Sequence, residues 1–225
     1  MSKTIEKYNL YYKVLDENIF PQEWIVRIFM GKYPKLNIRD DLKNKKILEV
    51  SCGDGRNFPP LLKKKMKVYA TEVSDVIVNN LKNTFPKIKF KQALNGHLPF
   101  QSNFFDYLLS WNQIYYMGDN EDNLFFERHV KEFSKVLKKD GKLIVSVPMI
   151  DNFIFEGSKI IDDKYRIIKN DPFKVRNEEI MRCFKNEEDI IDEFKKSFKN
   201  FIFASSINDH FGIQNNWHIF VCQKK

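Results

Sequence analysis

Two carboxylates and two glycines within a short reach of chain are the residues best suited to chemistry. Glu49 lies in the apolar run Ile47-Leu48-Glu49-Val50, which stops at Ser51-Cys52-Gly53-Asp54-Gly55. Glycines at a strand end let the backbone approach a ligand and turn sharply into a helix. Glu72 ends the next apolar run, Lys67 to Thr71, 19 residues beyond Gly53. An acid at that separation, on the tip of a neighbouring strand, is placed to accept two ribose hydroxyls. The pairing points to an adenosine-containing ligand. A dinucleotide loop needs three glycines, and this one has two. A pyrophosphate also prefers neutral or basic company, which Glu49 denies it. A carboxylate there suits a cationic group such as the ammonium of an amino acid.

These residues need strands to carry them, and the periodicity supplies strands. Short apolar runs at 46–50, 67–71, 88–92, 105–110 and 142–147 alternate with amphipathic runs. Helices are expected at 20–29, 57–65, from Ser74 (its N-cap), 120–137 and 186–198. Pro59 and Pro60 are tolerable only in a first turn. Asp140-Gly141 reads as the turn into the fifth strand. Two last strands, Phe201–Ser206 and Trp217–Gln223, read as an antiparallel edge hairpin. The expected fold is α/β, a mostly parallel sheet with helices on both faces. One domain over 1–225 is expected, with a helical cap at 1–30 and a lid-like insertion at 149–184, where the rhythm breaks.

Composition narrows the function classes. Hydrophobic residues make up 43% and aromatic residues 15% of the 225, which argues against disorder. Cys52, Cys183 and Cys222 form no CxxC or Cys/His cluster, so neither a disulfide framework nor structural zinc is expected. With no apolar leader and no run near the ~18 residues of a membrane span, a reduced cytoplasmic setting is the simplest reading. The net charge of +8 is mostly Lys spread along the chain, which reads as a solvated face and not as a nucleic-acid tract.

ILEVSCGDGRN resembles the first motif of class I S-adenosylmethionine-dependent methyltransferases, specifically the small-molecule, type 11-like kind. VYATEVS resembles the second motif, LPFQSNFFDYLLSWNQIYYM the segment leading into strand four, and VKEFSKVLKKDGKLIVSVP the following helix–turn–strand. The four cover roughly 46–148, in order. The resemblance implies a Rossmann-like doubly wound, seven-stranded sheet whose last strand is antiparallel. It implies S-adenosyl-L-methionine as cofactor. Gly53 and Gly55 would then pack against it, with Ser51, Cys52 and Asn57 in the same loop and Glu49 acting on its amino acid end. Glu72 would take the ribose, Val73 would lie against adenine, and Leu94 and Asn95 would edge it. Ser110 and Trp111 would face the methionine part. Ser51 in place of the first glycine and Lys139-Asp140-Gly141 in place of Pro-Gly-Gly are departures.

Asn112, Tyr116 and His210 are the candidates for handling a proton, and Tyr115 reads as a pocket wall. His129 reads as exposed. Tyr12, Tyr115, Arg166 and Arg176 are the substrate-binding candidates, the arginines as forks for phosphate or carboxylate, and Arg182 is considered with them. The expected function is methylation of a small molecule, most simply O-methylation of a sugar nucleotide or polysaccharide precursor. The alternatives are an RNA or protein substrate, or N-methylation of a small amine. The substrate is expected to be phosphorylated or nucleotide-linked, with no membrane partner and nucleic acid disfavoured.

Overall fold

Five strand-length apolar runs become the parallel core of one sheet in this structure, a computed structural model that describes residues 3–13, 20–36, 38, 41–93, 96–118 and 126–225. The sheet has seven strands: β1 (Lys46–Glu49), β2 (Lys67–Glu72), β3 (Lys89–Gln92), β4 (Phe105–Ser110), β6 (Leu137–Pro148), β10 (Phe198–Ser206) and β13 (Trp217–Lys224). Their order is β10-β13-β6-β4-β1-β2-β3. β13 runs antiparallel to both neighbours, and the other pairings are parallel. The order reverses at β1, between β2 and β4, and ligands bind beyond the carboxyl ends of strands at such a switch point.

Alternation along these strands feeds two cores. Leu48, Leu108 and Val145 pack on one face with Phe133, Phe194 and Phe220. Ile47, Leu109 and Ile144 pack on the other with Ile25, Phe29 and Phe58. A sheet covered on both faces needs strands that are apolar throughout. The covering helices are α2 (Glu23–Met30), α3 (Phe58–Lys63), α4 (Asp75–Thr84), α5 (Phe126–Val136) and α6 (Glu187–Phe194), with α1 (Lys3–Lys13) preceding them. Pro59 and Pro60 sit at the start of α3. The Ile77 amide donates to Ser74 Oγ at 3.2 Å, capping α4, and the Ser74 hydroxyl donates to Asn9 Oδ1 of α1 at 2.5 Å.

Element boundaries differ from the periodicity where one residue is needed elsewhere. The helix read at 120–137 is α5, and 120–125 lie outside the described residues. α6 stops at Phe194 because Phe198, buried, starts β10. β6 begins at Leu137, and Asp140 at φ 61° turns inside it, shifting its register against β4. No helix among the described residues is long and apolar enough to cross a membrane.

Residues 149–184 build a second sheet with the segment after β4. Its order is β5 (Tyr116–Gly118), β9 (Ile180–Arg182), β8 (Tyr165–Ile167) and β7 (Lys159–Ile160), all antiparallel. Arg182, wholly buried, fastens this sheet to α6. Its Nη2 donates to Asp189 Oδ1 at 2.5 Å and Glu193 Oε1 at 3.0 Å, and Nη1 donates to Cys183 O. A guanidinium spent this way binds no substrate. Removing one partner of a buried pair costs about 3–5 kcal/mol. Arg182→Ala is therefore expected to lower unfolding free energy by that amount in urea titrations. A loss below about 1 kcal/mol would show that the fastening is unimportant.

Candidate cofactor and active site

The carboxyl ends of β1, β2 and β4 open onto a cavity of about 620 Å³, a size usual for small-molecule sites. After β1 the chain turns through Ser51, Gly53 and Gly55, at φ 51°, 56° and 75°. That left-handed region costs an L-residue ~1–2 kcal/mol. Ser51 bears it while its amide donates to Thr71 Oγ1 at 3.3 Å and the next amide, of Cys52, donates to Thr71 O at 2.9 Å. Gly53 lines the cavity. Gly55 does not: a Cβ there would lie 2.6 Å from the Phe58 ring, so the packing of α3 itself requires this glycine.

Glu72 takes the Gly53 amide on Oε2 at 2.9 Å and the Val73 amide on Oε1 at 2.7 Å. Burial raises its pKa, and the N–H groups of Gly53, Val73 and Ser74 oppose the rise. Each oxygen keeps a lone pair for another donor, and Glu72 lines the cavity, so it can hold a ribose. Glu49 is less well satisfied. Asn57 Nδ2 donates to its Oε1 at 2.8 Å, while Oε2 is buried without a partner. Burial pushes Glu49 up to about 8, with Asn57 lowering and Asp54 raising it. A cation is what such a group lacks. Asn57 also accepts the Gln22 amide at 3.1 Å, joining the start of α2 to this loop. Cys52 lines the cavity too, and burial pushes its thiol well up, which keeps it protonated.

Beyond β4, Trp111, Asn112, Gln113 and Tyr116 face the same space. Asn112, at φ 56°, is tied to β6: its amide donates to Ser146 Oγ at 2.8 Å, and the Ser146 hydroxyl donates back to Asn112 Oδ1 at 2.6 Å. Its carbonyl oxygen is thus already engaged. Gln113 Nε2 donates to Ser110 Oγ at 2.6 Å, and Gln113 Oε1 is buried without a partner. Tyr116 Oη accepts from Arg176 Nε at 3.1 Å, and Arg176 Nη1 pairs with buried Asp171 at 3.0 Å. Tyr8 of α1 meets the Tyr116 ring edge-on, with centroids 6.2 Å apart.

The cavity therefore gathers Glu49, Ser51, Cys52, Gly53, Asn57, Glu72, Val73, Trp111, Asn112, Tyr116 and Arg176 from the sequence-derived set. Others lie elsewhere. Ser110 is wholly buried behind Gln113. Tyr115, also buried, stacks on Tyr116 at 4.9 Å and packs against Trp217, so it backs the wall and does not form it. Arg166 turns back to Asp162 O and Tyr165 O in the second sheet. His210 sits in an exposed hairpin formed by β11 (Asp209–His210) and β12 (Ile213–Gln214), away from the cavity. Leu94, Asn95 and the Tyr12 side chain lie outside the described residues. Tyr8, Gln113, Arg128, His129, Val175 and Glu179 line the cavity without having been singled out for it. The described residues contain no cluster of His, Cys, Asp and Glu able to hold a metal.

Residues 47–141 match the family model of a methyltransferase domain. This chain carries a methyltransferase domain. The seven-stranded sheet around it is the fold of known methyltransferases, and together they indicate an S-adenosylmethionine-dependent enzyme. No curated protein matches it in sequence. Among solved structures, a Methanosarcina mazei S-adenosylmethionine-dependent methyltransferase is 17% identical at TM-score 0.64, covering 86% of this chain and 98% of that one. A Pyrococcus horikoshii protein is 19% identical at TM-score 0.63, covering 96% and 99%. The Burkholderia thailandensis 1,6-didemethyltoxoflavin-N1-methyltransferase, solved with bound 1,6-didemethyltoxoflavin and S-adenosylhomocysteine, is 14% identical at TM-score 0.65, covering 98% and 85%. At these identities the likeness is one of fold.

Two predictions follow from the loop after β1. The raised Glu49 value means that free-protein stability is full below the unfolded value of about 4.5 and falls as pH rises towards 8. A bound ammonium reverses the preference, so at pH 7 S-adenosylhomocysteine should bind with release of about one proton. Calorimetry in buffers of different ionisation heat reads this, and Glu49→Gln should abolish it. Proton-neutral binding by the wild type would contradict the pairing. Ser51→Gly relieves a strained φ, and the unfolded chain's greater freedom offsets part of the gain. Unfolding free energy should rise by about 0.5–1 kcal/mol with cofactor affinity within about twofold of wild type; a drop in stability would show that the Ser51 side chain matters more than its backbone.

Proposed function

We propose that this methyltransferase transfers its methyl group to a small anionic acceptor, with O-methylation of a phosphorylated sugar or sugar nucleotide, such as a polysaccharide precursor, as the first reading. The observation that carries it is Arg176. Its guanidinium lines the cavity, braced by Asp171 and Tyr116, and Nη2 bonds nothing among the described residues. A half-buried, pre-aimed guanidinium recognises phosphate or carboxylate strongly. The second sheet and α1 contribute Phe173, Val175, Tyr8 and Tyr11 to the cavity wall. A cavity walled from both sides suits a small molecule better than an RNA or protein chain. We read these segments as the lid and the cap of a single domain. Nitrogen methylation is the second reading, favoured by the ring-nitrogen chemistry in the Burkholderia enzyme's name.

S-Adenosylmethionine supplies a methyl group already activated on a sulfonium. The chain's task is then to position and to exclude water, and ideal proximity contributes up to ~7–11 kcal/mol. In this reading Glu49, oriented by Asn57, holds the cofactor's ammonium, and Glu72 accepts its ribose hydroxyls. Val73 covers the adenine, with Cys52 and Gly53 offering backbone. Trp111 and Asn112 border the reacting end, and Tyr116 with Arg176 turns the acceptor's anionic group away from it.

A cofactor-release assay across sugar phosphates, sugar nucleotides, hydroxy acids and amines tests the reading. Arg176→Met should raise KM for charged acceptors about 30-fold, equivalent to about 2 kcal/mol, and leave cofactor KM and uncharged acceptors little changed. Unchanged KM for every charged acceptor would overturn it.

A further inference from the structure

His129 was expected on the exposed face of its helix, yet it lines the cavity. Its Nδ1 lies 3.2 Å from the carbonyl oxygen of Ile114, in the segment that leaves β4. A backbone carbonyl can only accept, so Nδ1 carries the proton and Nε2 presents a bare lone pair. Nothing among the described residues bonds Nε2. The same segment supplies Trp111, Asn112, Gln113 and Tyr116 to the cavity. A ligand that meets Nε2 brings an O–H or N–H group.

We propose that Nε2 of His129 accepts the proton of the methyl acceptor during transfer. The inference rests on the methyl-transfer reading of this cavity. The acceptor's heteroatom forms a new bond to the methyl carbon while the carbon–sulfur bond breaks, its electron pair staying on sulfur. The proton lost by the heteroatom moves to Nε2, giving an imidazolium that later discharges to water. Burial lowers the His129 pKa, with Arg128 adding to the effect and the Ile114 carbonyl opposing it, so the ring is neutral and ready at neutral pH. Other titratable groups lining the cavity are Tyr8 and Tyr11 on α1, Glu49, Cys52, Asp54, Arg56 and Glu72 at the ends of β1 and β2, His97 after β3, Tyr116 on β5, Arg128 on α5, and Arg176 and Glu179 between β8 and β9. Asn112 and Tyr116 are poorer candidates, because an amide is not a base and Tyr116 Oη already accepts from Arg176.

His129→Asn can keep a donor to the Ile114 carbonyl while removing Nε2, which separates a strut from a base. With 15N-histidine labelling and S-adenosylhomocysteine present, the His129 resonances should report a neutral ring protonated at Nδ1 at pH 7. A proton on Nε2 would overturn the proposal. In turnover with phenol, un-ionised at the assay pH, His129→Asn should lower kcat about 100-fold. With 4-nitrophenol, both acceptors being assayed at about pH 8.5 so that it is ionised and phenol is not, the loss should be less than about fivefold. Equal losses on both acceptors, or a tenfold fall in S-adenosylhomocysteine affinity with kcat retained, would make His129 a strut or a cofactor ligand and overturn the proposal. If the wild type binds no S-adenosylhomocysteine, the methyl-transfer reading itself fails, and the tautomer spectrum still stands on its own.

Discussion

The amide of Gly53 donates to Glu72 Oε2 at 2.9 Å across the gap between two strand ends, and the site is assembled around that bond. It is possible because β1 and β2 are parallel and in register, Glu49 opposite Ala70, so the loop after β1 passes over the tip of β2. Thr71 adds two more ties, to Ser51 and Cys52. The loop pays for this closeness with left-handed residues, two of them glycine. A buried carboxylate needs donors, and Glu72 obtains them from backbone that must in turn stay in place. Glu49, one strand-end away, is given only Asn57. The contrast divides the two acids: one is organised in advance, and the other keeps an unmet demand for a cation.

The second sheet is organised by charge as much as by apolar contact. Arg182 anchors it to α6, and Asp171 collects the amides of Val175 and Arg176 together with the Arg176 guanidinium. Asp171 thereby fixes the loop that carries Arg176 to Tyr116. The Tyr116 ring is itself held between Tyr115 and Tyr8, so body, second sheet and α1 meet at one aromatic ring. Lys7 Nζ, donating to Asn177 O at 2.6 Å, adds a direct link between α1 and that loop.

Much of the cofactor side was legible in the sequence because it is local. Strand, loop and next strand lie within 30 residues, and short apolar runs tell where each strand ends. The sheet's antiparallel edge was legible from a short connection for the same reason. Legibility failed where direction depends on tertiary contact. Gly55 looked like a ligand glycine, but only the folded α3 shows Phe58 beneath it. Tyr115 and Tyr116 are adjacent and chemically alike, and the bend at Asn112 decides which faces the cavity. Arg166 and Arg176 lie in one insertion, and only Asp171 distinguishes them. His129 did carry a signal: it sits three residues after Phe126 and four before Phe133, both on the buried face of α5.

The central claim is that Glu72, held by Gly53, is the adenosine-side anchor of an S-adenosylmethionine site. Equilibrium binding of S-adenosylhomocysteine to the wild type and to Glu72→Ala tests it most directly. The account predicts measurable wild-type binding and a loss of at least about tenfold in the variant, about 1.4 kcal/mol, with the circular dichroism of the fold retained. Equal affinity in the two proteins would contradict it.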